Sequence, residues 1–302
     1  MTTLTTTKHS KNLAAKKIAV IITAAGSSVR MGGIKKEFLS LNNGTVLSNC
    51  AVAFLKAFST TPKISNEYES SCKIITPAQS DFFCELINLV ITIPDGMNEE
   101  AKKALFCDKD FVLPKNCTLN FVTGSSTRQK SIFNALQFLK KQPALQNDSQ
   151  NKKHTAQNST NSTSIPDYVL IHDGARPFIT PESIRAVTSA AIEFGAAAPG
   201  FTPTDTIKQI DENGFIKNHL VRKELICIQT PQAFEFNRLY TAHENASKED
   251  LEYTDDTEIW GKFVGKVKIT QGDPQNLKIT YPKDLTQANQ SIPQKAETNL
   301  PT

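Results

Sequence analysis

Short, uninterrupted apolar runs alternate along this chain with stretches whose apolar residues recur at helical spacing, and that alternation limits the folds open to it. Ile18-Ala19-Val20-Ile21-Ile22, Leu89-Val90-Ile91-Thr92-Ile93, Leu119-Asn120-Phe121-Val122 and Tyr168-Val169-Leu170-Ile171 read as strands. A strand that is apolar on both sides has no face to offer water, so helices must cover both faces of its sheet. Candidate helices lie between these runs. Val46, Leu47, Cys50, Ala51, Phe54, Leu55 and Phe58 share one face, as do Ile132, Ala135, Leu136 and Leu139. Thr180-Pro181-Glu182 is a capped helix start, followed by the stripe Ile184, Val187, Ala191 and Phe194 and closed by Gly195. The pattern predicts an α/β fold, a mostly parallel sheet with helices on both faces.

One stretch departs from it. Residues 206–210 and 215–219 flank Asp211-Glu212-Asn213-Gly214, which predicts a β-hairpin within about 204–222. Residues 1–16, about 142–164 and 287–302 are too polar to offset the entropy of ordering. They are expected to form a mobile tail, an insertion and a second tail around a single domain at 17–286. Residues 59–80 are weakly patterned and read as a further insertion. The net charge of +4 suits phosphate ligands, but no basic block with interleaved aromatics argues for nucleic acid. No apolar run reaches the length of a membrane span, and no signal-like apolar segment precedes Ile18, so a cytoplasmic protein without membrane partners is expected. The six cysteines form no C-x-x-C pair and read as free thiols.

The chemistry concentrates in loops that follow strands. After Ile22 comes Ala24-Ala25-Gly26-Ser27-Ser28-Val29-Arg30-Met31, then Lys35 and Lys36. Small residues let backbone N–H groups approach a phosphate, and the cations neutralise it. A P-loop is excluded because no Gly-Lys pair precedes Ser or Thr. The dinucleotide fingerprint fails at Ser28, where its second glycine would stand. A nucleoside triphosphate or similar polyphosphate fits the loop. Gly124-Ser125-Ser126-Thr127-Arg128-Gln129-Lys130-Ser131 opens a helix and reads equally as a nucleotide contact or a plain capped start. In His172-Asp173-Gly174-Ala175-Arg176-Pro177, Asp173 could hold a ribose, a sugar hydroxyl or Mg²⁺ through water, or pair with Arg176. His172 reads as a packed, hydrogen-bonded residue. No single chemistry follows from Gln229-Thr230-Pro231-Gln232-Ala233-Phe234. Thr254-Asp255-Asp256 reads as a helix cap, and Lys278 sits in a β-like run as an edge charge or phosphate ligand.

Taken in order, these segments resemble the 2-C-methyl-D-erythritol 4-phosphate cytidylyltransferase family. The resemblance rests on Ala-Ala-Gly…Arg-Met…Lys, Gly…Arg…Ser, His-Asp-Gly-Ala-Arg-Pro, Asp-Thr-Ile-Lys, Gln-Thr-Pro-Gln-Ala-Phe, Thr-Asp-Asp and Asn-Leu-Lys-Ile-Thr, from about Lys17 to Leu285. It implies a Rossmann-like domain with a projecting β-arm that makes a homodimer. The implied activity joins CTP and the polyol phosphate, with Mg²⁺ bridging CTP phosphates and the metal ligands left unassigned. Arg30 and Lys36 would flank the triphosphate. Ala24, Gly26, Ser125, Ser126 and Ser131 would contact cytosine and ribose, and Asp173 and Arg176 would lie beside the ribose and the methylerythritol. Thr206 and Arg222 would grip the second substrate's phosphate from the partner, with Thr230 and Lys278 completing that pocket. This chain departs from the family pattern at Ser28 (usually Gly), Lys35 (Pro), Gly174 (Ala) and Ser126 (Asp).

The chemistry agrees with that set: an already anionic phosphate needs no strong base, only in-line placement and charge neutralisation. Ribitol 5-phosphate cytidylyltransferase shares the first loop, His-Asp-Gly and Gln-Thr-Pro-Gln, whereas Asp205-Thr206-Ile207-Lys208 and Leu277-Lys278-Ile279-Thr280 lean to the erythritol enzyme. A CTP-binding regulator without turnover is the rival from another class, and the presence of both Arg30 and Lys36 argues against it.

Overall fold

A computed structural model of the chain describes residues 15–59, 84–147 and 164–290. The insertion expected at 59–80 falls, but for its first residue, outside them, as does most of that at 142–164. In chain order the first half comprises β1 (Lys16–Thr23), a small ladder of β2 (Ser40–Leu41) and β3 (Gly44–Thr45), α1 (Val46–Ala57), β4 (Cys84–Ile93), α2 (Asn98–Phe106), β5 (Thr118–Thr123) and α3 (Arg128–Asn147). Then come β6 (Tyr168–Asp173), α4 (Pro181–Phe194), β7 (Ala196–Phe201), β8 (Lys208–Ile210), β9 (Ile216–His219), β10 (Cys227–Ile228) and β11 (Gln232–Glu235). The chain continues through α5 (Phe236–Ala246), α6 (Asp256–Phe263), β12 (Lys268–Gln271) and α7 (Pro282–Gln290).

Among the described residues one eight-stranded sheet runs β10-β7-β11-β6-β1-β4-β5, with β12 beside β7. Its centre, β6-β1-β4-β5, is parallel, and β11 and β10 pair antiparallel. The chain builds outward from β1 through β4 to β5, then returns to lay β6 on the other side of β1. The order therefore reverses between β1 and β6, and at such a switch point the loops leaving the strands part and open a crevice.

Residues 18–22 of β1 are wholly buried, as the apolar run predicts. Ile18, Val20 and Ile22 face α1, α2 and α4, while Ala19 and Ile21 face α3, α5 and α6. Each buried Ile contributes about 1.5–3 kcal/mol relative to an exposed one. Thr180 caps α4 by accepting from the Ser183 N–H at 3.2 Å, and Gly195 ends it at φ +87°. Phe194, expected in the stripe, is instead half-exposed at the last turn, where the Lys268 ammonium lies over its ring.

Other boundaries moved. His172 and Asp173 end β6 rather than follow it, because their backbones pair with Ile22 and Thr23 of β1. α3 runs on past residue 142, where Gln142 accepts from the Asn88 side-chain amide at 3.0 Å. α7 continues to Gln290, because Ala288 packs with Leu41, Val46 and Ile279. The run around Lys278 is not a strand: its described backbone bonds are turns at Asp273–Asn276 and Gln275–Leu277 and a link from Ile279 N–H to the Ala175 carbonyl. The hairpin forms as β8 and β9, a separate exposed ladder turning at Gly214 (φ +84°) and shorter than the pattern suggested. The five described cysteines are free, and among the described residues no helix is long and apolar enough to cross a membrane.

Candidate active site

The carboxyl ends of β1, β5 and β6 are packed too closely for side chains at two points. A Cβ on Gly124 would come within 2.2 Å of the Ala25 Cβ, and one on Gly174 within 2.8 Å of the Thr23 carbonyl. Glycine at 174, where the related pattern has Ala, lies directly against Ile22 and Thr23 at the end of β1. That first loop is held by Ala24 N–H to Thr92 carbonyl (2.9 Å) and by the buried Met31. Ser28 adopts φ 52°, ψ 31°, the left-handed conformation a glycine takes freely. Holding it there costs about 1–2 kcal/mol, offset by the bonds its carbonyl accepts from Met31 (2.8 Å) and Gly33 (3.1 Å). Gly26 faces open space, and Arg30 is exposed, its guanidinium 5.8 Å from the Tyr281 ring centre.

The two adjacent lysines have different surroundings. Lys35 donates back to the Gly26 carbonyl and so ties the loop. Lys36 is buried, and burial lowers its pKa; Glu37 opposes that effect, while the nearby Lys278 and Arg30 charges add to it. Glu37 is itself buried with one carboxylate oxygen unpartnered, and burial raises its pKa.

Asp173, at the end of β6, organises the centre. Its carboxylate meets Lys278 Nζ at 2.8 Å, Arg128 Nε at 3.4 Å and Arg176 Nε at 3.6 Å. Burial alone would raise its pKa, but these cations outweigh burial and hold it well below the usual carboxylate range. Behind Asp173 lies His172, fully buried. Its Nε2 meets the Arg176 carbonyl at 3.1 Å and its Nδ1 the Thr230 hydroxyl at 3.0 Å. A carbonyl only accepts, so Nε2 carries the proton and Thr230 donates to Nδ1. Burial pushes the imidazole down to about 4, keeping it neutral. The Thr230 oxygen also accepts from the Asp173 N–H at 3.1 Å.

The Gln-Thr-Pro-Gln segment now has a mechanical role. Gln229 donates to the Asp273 and Asn276 carbonyls (2.7 and 3.2 Å) and accepts from the Asp273 N–H, clamping the loop that carries Lys278. Arg176 adds a bond to the Asn276 carbonyl at 2.8 Å. Gln232 reaches the other way, to Asp255 and the Asp256 N–H. Asp255 is the N-cap of α6, as its motif suggests, accepting from Glu258 N–H at 2.9 Å.

The structure thus gathers Lys36, Asp173, Arg176 and Lys278, with Arg30 within electrostatic reach. Ser125 and Ser126 are exposed at the start of α3, while the Ser131 hydroxyl is buried and braces their turn, accepting from Ser125 N–H and donating to the Thr127 carbonyl, both at 2.8 Å. Thr230 is likewise spent internally. Thr206 and Arg222 lie on the exposed arm, where Arg222 donates to the Thr204 carbonyl at 2.7 Å, and none of the described bonds joins them to the Asp173 cluster. Motif reading missed Arg128, Asp256 and His243 as a connected set. One signal was present: His243 falls on the apolar stripe Phe236, Leu239, Ala242, Ala246, where a buried, partnered histidine is expected.

Cations gathered about Asp173 at the switch point of a sheet wound in both directions are the arrangement of a nucleotide-binding α/β protein. Residues 145–294 match the family model of 2-C-methyl-D-erythritol 4-phosphate cytidylyltransferase. The chain is similar to proteins of that name from Clostridium beijerinckii (34% identical over 271 residues, 89% of this chain and 95% of the relative) and Clostridium botulinum (32% over 270 residues, 89% and 96%). It therefore belongs to the 2-C-methyl-D-erythritol 4-phosphate cytidylyltransferase family. Its fold is similar to that of 4-diphosphocytidyl-2C-methyl-D-erythritol synthase from Anaerococcus prevotii (TM-score 0.64, 24% identity, 91% of this chain and 97% of that one). The Thermus thermophilus 2-C-methyl-D-erythritol 4-phosphate cytidylyltransferase is also similar in fold (TM-score 0.58, 23% identity, 92% and 98%).

Proposed function

We propose that this chain joins CTP and 2-C-methyl-D-erythritol 4-phosphate, giving 4-diphosphocytidyl-2-C-methyl-D-erythritol and pyrophosphate, in non-mevalonate isoprenoid biosynthesis in the cytoplasm. The observation that carries the reading is the convergence of Lys278, Arg128 and Arg176 on Asp173 at the switch point, with Lys36 within electrostatic reach, in a chain of this family. The phosphate oxygen of the polyol attacks the α-phosphorus of CTP, the bond to the bridging oxygen breaks, and pyrophosphate leaves. The nucleophile is already anionic, so no side chain needs to remove a proton, and the neutral, fully bonded His172 fits a reaction without a general base.

Arg30 and Lys36 take the triphosphate. The buried Lys36 ammonium lacks full compensation without ligand, and a polyphosphate supplies the missing counter-charge. Ala24, Gly26, Ser125 and Ser126 contact cytosine and ribose, with Ser131 shaping their loop. Arg30 and Lys36 stabilise the charge that builds on the α-phosphate, Asp173 and Arg176 border the ribose and the polyol, and Lys278 completes the pocket for the polyol phosphate. Thr230 fixes the pocket wall behind them. Thr206 and Arg222 reach the polyol phosphate in the partner's site of a homodimer. Ile210, Phe215 and Ile216 stand exposed on this arm, apolar surface of the kind a partner covers.

Among the described residues no group of three or more His, Cys, Asp and Glu side chains forms a metal cage. The carboxylate at the centre of the cluster, Asp173, already shares its oxygens with cations. With no cage among these residues, Mg²⁺ would arrive with the CTP phosphates, and Asp173 would be the carboxylate to hold it through water. When bound, the ion would supply charge neutralisation.

The test is pyrophosphate release with Mg²⁺ and CTP, comparing 2-C-methyl-D-erythritol 4-phosphate with ribitol 5-phosphate. Release with the erythritol substrate alone supports the assignment. Release with ribitol 5-phosphate alone transfers the chain to that activity, and CTP binding without release for either leaves a nucleotide-binding regulator.

A further inference from the structure

We propose that His243 is a positioning residue for this reaction, acting through Asp256, Arg128 and Asp173 on Lys278; the inference rests on the role given to Lys278 above. The links form one continuous series. His243 Nε2 lies 3.0 Å from Asp256 Oδ1, and Asp256 Oδ2 accepts from Arg128 Nη1 at 2.8 Å. The Nε of the same guanidinium lies 3.4 Å from Asp173 Oδ1, and Asp173 Oδ2 meets Lys278 Nζ at 2.8 Å. Charges alternate along it from Asp256 to Lys278. The two ends differ in exposure: the side chains of His243 and Asp256 are 0% and 1% exposed, that of Lys278 40%, with Arg128 at 27% and Asp173 at 9% between them. The buried end therefore anchors and the exposed end meets ligand.

His243 suits an anchor. A carboxylate only accepts, so Nε2 must carry the ring proton. Nδ1 is buried without a partner, and the ring stacks on Phe133 of α3, centroids 6.0 Å apart at 16°. Turning the ring over would bury the N–H without an acceptor, so the imidazole has one favourable orientation. Asp256 is also fixed through its N–H, which donates to Gln232 at 3.1 Å. Both contacts aim one carboxylate at Arg128. Arg128 is the first residue of α3, and bridging Asp256 and Asp173 lets it tie α6 and, through His243, α5 to the end of β6. Losing the His243 bond leaves a buried carboxylate oxygen unsatisfied and frees Asp256 to turn. The guanidinium then shifts with it, and Asp173 no longer holds Lys278 in register.

A double-mutant cycle tests this by pyrophosphate release, normalised to the folded fraction. His243→Leu is expected to lower kcat/KM for the polyol phosphate by about tenfold, and His243→Asn, which keeps an N–H donor, to recover most of that loss. In a Lys278→Ala background, His243→Leu is expected to change kcat/KM by less than about twofold, because the series then ends on nothing. Equal fold-losses in both backgrounds would mean that His243 only supports the fold, and would overturn the proposal. Should His243→Leu fail to fold, Asp256→Asn takes its place in the same cycle with the same expectations. If Lys278→Ala itself leaves kcat/KM unchanged, the catalytic assignment of Lys278 fails and this inference falls with it; if Lys278→Ala lowers it and the effects add, the inference alone fails.

Discussion

Replacing Lys36 by Met should make the unliganded protein slightly more stable while nearly abolishing turnover. Lys36 is 9% exposed, and burial of its ammonium lowers its pKa, so the folded protein without ligand holds a charge it compensates poorly. Met keeps most of the buried stem and removes the charge. Exchanging a whole buried ion pair or triad for apolar side chains of similar volume is often neutral or stabilising by about 1–4 kcal/mol, and Lys36 forms no ion pair among the described residues whose loss would reverse that sign. Here the gain belongs at the low end, because Glu37 loses a favourable neighbour and its buried carboxyl is raised further. A gain of about 1 kcal/mol corresponds to a Tm rise of roughly 2–4 °C for a domain of this scale. The catalytic effect has the opposite sign: removing one preorganised donor from a site of developing charge costs about 10²–10³ in kcat. Thermal unfolding without and with CTP, beside pyrophosphate release on the same samples, reads both. CTP at about 100 Kd should stabilise the parent by roughly 2.7 kcal/mol and the variant by clearly less. A variant that loses about 1 kcal/mol without ligand, or keeps above about a tenth of the turnover, would refute the view that Lys36 is a strained charge awaiting phosphate.

Acid should weaken the fold in two stages. The folded pKa of His172 is depressed to about 4, so its contribution is full above about pH 6.5 and is lost as pH falls toward 4. From pH 7 to 4.5 this amounts to roughly 2 kcal/mol. Urea unfolding should show that slope, and His172→Gln should flatten it; an unchanged slope would reject the neutral, locked imidazole. Asp173, also depressed, contributes above the ordinary carboxylate range and loses that contribution at still lower pH. In solution the chain should show a dimeric mass by light scattering, and mixing Arg222→Ala with Lys36→Met subunits should restore part of the activity that either lacks alone. A monomeric mass with full activity would rule out action of the arm in trans.

Local sequence accounted for the parallel core and for the loops that bear chemistry. Residues 18–22, apolar on both sides of the strand, require helices above and below, and that single requirement orders β1, β4, β5 and β6 with α1, α3 and α4. Thr180, Pro181 and Gly195 mark their helix ends because capping is a matter of a few adjacent residues. Lys36, Asp173, Arg176 and Lys278 were likewise identifiable from short motifs that follow strands or turns. What the chain could not reveal by itself was which partner each charge would choose. Asp173 could have paired with Arg176 alone; in the fold Arg128 and Lys278, 45 and 105 positions away, lie closer. Asp256 looked like a cap residue and became the buried partner of Arg128 and His243, while Ser131 and Thr230, which looked like ligand contacts, bond to their own scaffold. Periodicity and capping act over a few residues and survive in the linear chain, whereas charge pairing depends on distance through space and on the water excluded between partners, and both exist only once the sheet has closed and its helices have packed.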